Sequence, residues 1–179
     1  MIESAPYETL TKLQAAERQL RVAIRLFFER RDLVAVHTLA AAALEVLRDL
    51  VRPRGIKSIF KDSDLIRPEY KKEVANRFNE AQNFLKHADR DPDEQLKFYF
   101  EATQFYLLDA AHLYNQLTRQ QFPEVTGLFA WFAVKFPNFL VEGAFKEQII
   151  GLVSPQGFNP DDYQLLLKAI DLLALEGRR

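Results

Sequence analysis

The sequence predicts an all-α protein, and three observations carry that expectation. Apolar residues recur at spacings of three and four over long stretches, the pattern of one buried helix face. Glycine is scarce at six residues, and three of those lie at or beyond Gly151. Alternating β-branched runs and the Asn-Gly or Asp-Gly pairs that close hairpins are absent.

The first helix is expected from about Tyr7 to Arg30. Leu10, Leu13, Leu20, Ile24, Phe27 and Phe28 make its apolar stripe. Asp32 then reads as the N-cap of a second helix running to about Val51. Leu33, His37, Ala40, Leu44, Leu47 and Val51 share one face of it, and alanines at 40 to 43 admit a close neighbour. Arg52-Pro53-Arg54-Gly55 breaks that helix, and an irregular connection reaches Arg67. Pro68 suits the first position of a third helix ending near Ala88, with Tyr70, Val74, Phe78, Ala81 and Leu85 as its stripe. Asp91-Pro92-Asp93 ends any helical tendency there, and Leu96 to Phe100 is aromatic without a clear period.

A fourth helix follows to about Arg119, carrying Leu107, Ala111, Tyr114 and Leu117 on one side. Pro123 opens a fifth that runs to Phe136, where Pro137 stops it. A sixth is expected over 141–152. Asn159-Pro160-Asp161-Asp162 reads as cap, first-position proline and first-turn acids for a last helix ending at Gly177. The architecture expected is one domain over 1–179: a bundle of four long helices in 1–121, with an aromatic-rich extension of shorter helices in 122–179 packed on it. Phe129, Trp131, Phe132, Phe136, Phe139 and Phe145 read as filling between helices rather than as a self-association surface.

The bulk properties exclude several classes of function. With 179 residues the chain can bury a core, and 48% apolar with 27% charged residues is ordinary for a globular protein. A net charge of -1 gives no global attraction to nucleic acid or anionic lipid. The absence of cysteine removes disulfides, thiolate metal sites and thiol nucleophiles. MIESAPYETLTKLQ has no apolar signal-peptide core, and no apolar run is long enough to span a bilayer, so a cytoplasmic, non-membrane protein is expected. Phosphate-cradling glycine loops, G-x-S-x-G elbows and His-Glu-x-x-His helices are all missing.

The chemistry concentrates in QNFLKHADRDPD, residues 82–93. Asn76, Glu80, Asn83 and His87 follow one another at steps of four, three and four, which places them on one helix face beside the apolar stripe. Histidine titrates near neutrality and can move protons. Lys86 and Arg90 can hold an anion, as can Arg77 earlier on the same helix, and Asp89 or Asp91 can orient the imidazole. The same residues also serve as an ordinary helix end, since Lys and His complement the macrodipole and Asp favours turns. His37 sits in an apolar stripe, where it needs a partner. That partner is either a local hydrogen bond or His87 across a helix contact. Asp109 and His112 stand at i and i+3, half of the arrangement seen in carboxylate-bridged metal bundles, and Asp109 reads equally as a buried acceptor between apolar pairs. No metal or other cofactor is expected. From Arg48 to Lys72 eight cations face four acids, a local excess of +4 that reads as a solvated loop or as a phosphate contact.

The segment Gln82-Asn83-Phe84-Leu85-Lys86-His87 resembles the R-x4-6-H motif of the HEPN superfamily, small helical bundles that bind nucleotides. Asn83 and His87 occupy the polar and histidine positions, and the alanine-rich helix around His37 to Leu47 is similar to the one that precedes the motif helix in bacterial relatives, as is the Asn-x-x-Lys-His-x-Asp string at 83–89. The likeness covers about Leu10 to Leu117. It implies a homodimer binding nucleotide or RNA. In cutting members the histidine acts on a 2′-hydroxyl and the arginine on phosphate, without metal. The resemblance therefore puts His87, Asn83 and Lys86 at the centre, with His37, Asp89, Arg90 and Asp109 supporting and Arg77, Lys86 and Arg90 facing phosphate. The arginine position holds Gln82, which carries no charge and cannot act as a guanidinium fork. Two readings remain open: a nucleotide- or RNA-binding module with or without cleavage, and a non-catalytic interaction protein in which the 82–91 motif braces the helices. A third, a metal or small-molecule site using His37, His87 and His112, rests on composition alone.

Overall fold

A computed structural model describes residues 6–62, 68–87, 89, 92–138 and 159–176. These residues form an all-α fold of six helices with no strand. They are α1 (Lys12–Phe28), α2 (Leu33–Val51), α3 (Pro68–Phe84), α4 (Phe100–Thr118), α5 (Pro123–Lys135) and α6 (Tyr163–Glu176), with one 3₁₀ turn at Arg52–Arg54. The helix expected over 141–152 lies outside the described residues, as do Phe139 and Phe145.

Each start follows from local chemistry. α1 begins five residues later than expected, because Thr11 forms a capping box: its side chain accepts from Gln14 N–H while Gln14 Oε1 accepts from Thr11 N–H. Tyr7 and Leu10 are consequently outside the helix and exposed. Asp32 caps α2 as expected, accepting from Val34 and Ala35 N–H at 3.0 Å each. Pro68 opens α3 and Pro123 opens α5. The last helix departs from expectation. Asn159 Oδ1 accepts from Asp161 N–H to make a turn, and Asp162 is the residue whose carboxylate caps α6 at Leu165 N–H. Asx-turn chemistry and cap chemistry use the same residue types, so the sequence alone placed the start three positions early.

The core lies where α1, α2 and α4 meet. Leu20, Ile24, Phe28, Leu44, Leu47, Leu107 and Leu113 have essentially no exposure. Buried Ala16 and Ala23 on α1, Ala40, Ala41 and Ala43 on α2, and Ala110 and Ala111 on α4 keep the interhelical space small. The most extensive helix contacts are accordingly α1 with α2 and α2 with α4. α5 and α6 pack together and against α1. There Trp131 and Phe132 are buried, Trp131 sits edge-on to Phe27 and Phe28, and its Nε1–H donates to Pro160 O at 3.0 Å. The aromatic density of α5 is thus interior filling.

Gly127 sets the α5–α6 spacing. A Cβ at that position would lie 2.7 Å from Ile170 Cγ1 and 2.8 Å from its Cδ1. Gly127→Ala gains helix propensity of about 1 kcal/mol but overpacks a closed contact at a cost of roughly 1–3 kcal/mol. Urea unfolding of Gly127→Ala is therefore expected to show lower stability, and adding Ile170→Val is expected to restore part of it.

Candidate functional site

The C-terminal end of α3 carries the candidate site. α3 stops at Phe84, four residues earlier than the sequence suggests, yet the chain keeps a helical course beyond it. Leu85 N–H donates to Ala81 O, and both Lys86 and His87 N–H donate to Asn83 O. Asn83 O thus accepts two N–H groups, one to each of its lone pairs. This bonding leaves His87 one turn beyond Asn83, so both side chains reach the same side.

That side is a cleft of about 280 Å³ lined by Glu80, Asn83, Phe84, His87, Glu94, Gln95 and Leu96. α3 forms one wall, and the extended segment before α4 forms the other. The His87 side chain is half exposed. Its Nδ1 lies 3.9 Å from Asp89 Oδ1, beyond hydrogen-bond reach, so Asp89 stands beside the ring without orienting it. Lys86 is exposed next to His87 and does not line the cleft. Arg77 lies on α3 with its side chain outside the described residues, and Arg90 and Asp91 are outside them altogether. Two carboxylates, two amides, an imidazole and a ring edge therefore make a cleft suited to hydrogen-bond donors and flat groups.

Gln82, one position before Asn83, points the other way. It is 8% exposed, and its Oε1 accepts from Lys61 Nζ at 3.2 Å. The Lys61 side chain is 3% exposed. Its ammonium bonds Glu45 of α2 and lies 5.6 Å from the centre of the Tyr106 ring on α4. Burial pulls the Lys61 pKa below the usual lysine value against the opposing pull of Glu45. Burial acts on Glu45 in the opposite sense, yet Lys61 and Arg48 together keep it below the ordinary carboxylate value. Arg48 forks Asp62 at 2.8 and 3.1 Å, which ties the loop end to α2. The basic stretch is thus not simply a solvated loop. Arg48 and Lys61 hold the interior together, and Arg54 Nη1 donates to Leu117 O.

The other sequence candidates separate from this cleft. His37 is fully buried and its Nδ1 lies 3.2 Å from Thr103 Oγ1. Its ring meets Phe98 edge-on and tilts against Tyr106, so its neighbours are these groups rather than His87. Burial and the nearby Lys61 charge lower its pKa to about 4. Asp109 is fully buried and is an acceptor: Ser58 Oγ donates to it at 2.5 Å and Ile59 N–H at 2.9 Å. Burial raises its pKa against those donors. His112 is half-buried, and burial lowers its pKa. Among the described residues no group of three or more His, Asp or Glu is placed to hold a metal ion. Lys61, Glu45, Glu94 and Gln95 were not singled out from the sequence. A lysine in a basic loop gives no sign of burial, and Glu94 and Gln95 fall between the Asp91-Pro92-Asp93 break and the aromatic stretch from Leu96.

No family model, curated protein or solved structure matches this chain. No helix among the described residues is long and apolar enough to cross a membrane.

The folded His37 pKa lies below its unfolded value of 6.5, so its contribution to stability is complete above pH 6.5 and is lost as pH falls toward about 4. Within that window stability is expected to fall by up to about 1.4 kcal/mol per pH unit from this residue. His37→Asn, which keeps an acceptor for Thr103, is expected to flatten the slope measured by urea unfolding across pH, leaving the part due to His112 and the part of opposite sign due to Asp109.

Proposed function

We propose that this chain is a HEPN-like module that binds nucleotide or single-stranded RNA in the cleft between the end of α3 and residues 94–96. The observation that carries the reading is that Asn83 and His87, the two motif positions filled as in that family, line one open cleft together with Phe84. An imidazole and amides can read base edges, and Glu80 and Glu94 can accept from amino groups and ribose hydroxyls. The same carboxylates repel phosphate, which directs the backbone outward toward Lys86. In this reading the protein is cytoplasmic and works as a homodimer with two such clefts.

Cleavage needs more than this cleft offers. His87 can take a 2′-hydroxyl proton, but the position that would hold the phosphate-binding arginine is Gln82, turned inward onto Lys61. Binding without cutting is the form best supported. A second reading, in which the motif only braces helices, is favoured by that same Gln82–Lys61 contact. The two divide by residue: Gln82 braces, while Asn83 and His87 are left to a ligand.

Fluorescence anisotropy with labelled single-stranded RNA, and calorimetry with a nucleoside monophosphate, test the reading. His87→Ala and Asn83→Ala are expected to weaken binding by roughly three- to tenfold each, the size of one hydrogen bond, with melting temperature unchanged because both side chains are exposed. RNA incubated with the protein in chelator is expected to stay intact; cutting that His87→Ala abolishes would establish the catalytic form. No saturable binding of either probe would leave the bracing role alone. Gln82→Ala, in contrast, is expected to lower stability by about 1–3 kcal/mol, because a buried ammonium loses an acceptor.

A further inference from the structure

A second cleft lies at the junction of α1, α2 and α6. It encloses about 260 Å³ and is lined by Phe27, Arg30, Arg31, Leu33 and Tyr163. Two guanidinium groups and two aromatic rings make its wall, with no carboxylate among them.

The backbone explains how Arg30 comes to be there. α1 ends with Arg30 N–H donating to Phe27 O and Arg31 N–H donating to Leu26 O, the paired bonds of a Schellman turn. That turn puts Arg30 at φ 55°, a left-handed conformation that glycine adopts without strain and arginine does not. The chain thus carries a long cation where a glycine would serve the turn better. The guanidinium lies 5.6 Å from the centre of the Tyr163 ring, and Arg30 has no carboxylate partner among the described residues. Arg31 bonds Glu29 through Nε only, which leaves its two Nη groups without a described partner. The next acid in the chain, Asp32, is turned onto the first N–H groups of α2.

We propose that this cleft binds a small aromatic oxyanion: a phosphate or carboxylate joined to one aromatic ring. The charge lies between Arg30 and Arg31, whose forked donors match an oxyanion. The ring lies against Tyr163 and Phe27, with Leu33 closing the apolar side. A volume of about 260 Å³ has room for one ring with one oxyanion. This site is independent of the cleft at His87.

Calorimetric titration of the full chain with phenyl phosphate, benzoate and inorganic phosphate tests it. Phenyl phosphate or benzoate is expected to bind at one site, about tenfold more tightly than inorganic phosphate, the ring supplying the difference. The tighter of the two ring compounds identifies which oxyanion the arginines prefer. Arg30→Gly is expected to weaken that binding at least tenfold while holding or raising the melting temperature, since glycine relieves the left-handed turn. Arg119→Gly is the matched control. Arg119 ends α4 at φ 58° and donates to Gln116 Oε1, so its replacement is expected to relieve the same strain and leave binding unchanged. His87→Ala is likewise expected to have no effect, which separates this site from the RNA reading. Absence of saturable binding by both ring compounds at millimolar concentration, or an Arg30→Gly chain that binds them as the wild type does, overturns the proposal.

Discussion

The position of α3, and with it the cleft at His87, depends on one buried ammonium group. Taking an ion out of water costs several kcal/mol unless good partners replace the water. Lys61 finds three: the Glu45 carboxylate on α2, the Gln82 amide on α3 and the face of Tyr106 on α4. A single side chain from a loop therefore joins three helices. Aromatic contacts add to this join, since Phe78 of α3 stacks on Phe60 of the same loop and on Tyr106. Asp109 works alongside, accepting from Ser58 and Ile59 and so fixing the start of the loop segment that presents Lys61.

Helix geometry converts this join into a division of labour along the motif. Residues one apart on a helix point about 100° from each other, while residues four apart nearly align. Gln82 can thus face the interior while Asn83 and His87 both face the cleft. The same spacing leaves the position before Asn83 committed to Lys61. The segment after the cleft returns to the core through Phe98, whose ring meets His37 edge-on. The buried histidine thus meets the chain two residues beyond the cleft wall, although it does not reach the cleft itself.

The sequence made the fold legible wherever the information was local. Asp32, Pro68 and Pro123 mark helix starts through chemistry that involves only their nearest neighbours, and the alanines of α2 signalled close packing correctly. Two helix starts were misplaced because local signals compete: Thr11 caps α1 inside what looked like continuous helix, and Asn159 makes a turn where it looked like a cap. At the candidate site, the shared orientation of Asn83 and His87 follows from spacing and was readable. The burial of Lys61 was not, because it is decided by Glu45, Gln82 and Tyr106, which lie 16, 21 and 45 positions away in the chain. His37 could be recognised as a polar group in an apolar stripe, but Thr103 as its partner is a tertiary fact.

A helix joined to its neighbours through charge as well as through rings responds to its surroundings differently from one held by aliphatic packing alone. The described contacts of α3 with other helices run through α2 and through Tyr106 of α4, whereas α1, α2 and α4 interlock along aliphatic and alanine surfaces. Partial opening of such a molecule begins at the element with the fewest interlocking side chains. Among the described side chains that element is α3, which carries one wall of the cleft. Amide protons of α3 would exchange with solvent ahead of those in the α1–α2–α4 layers, and a ligand seated against Asn83 and His87 would slow that exchange while leaving the interior layers as they were.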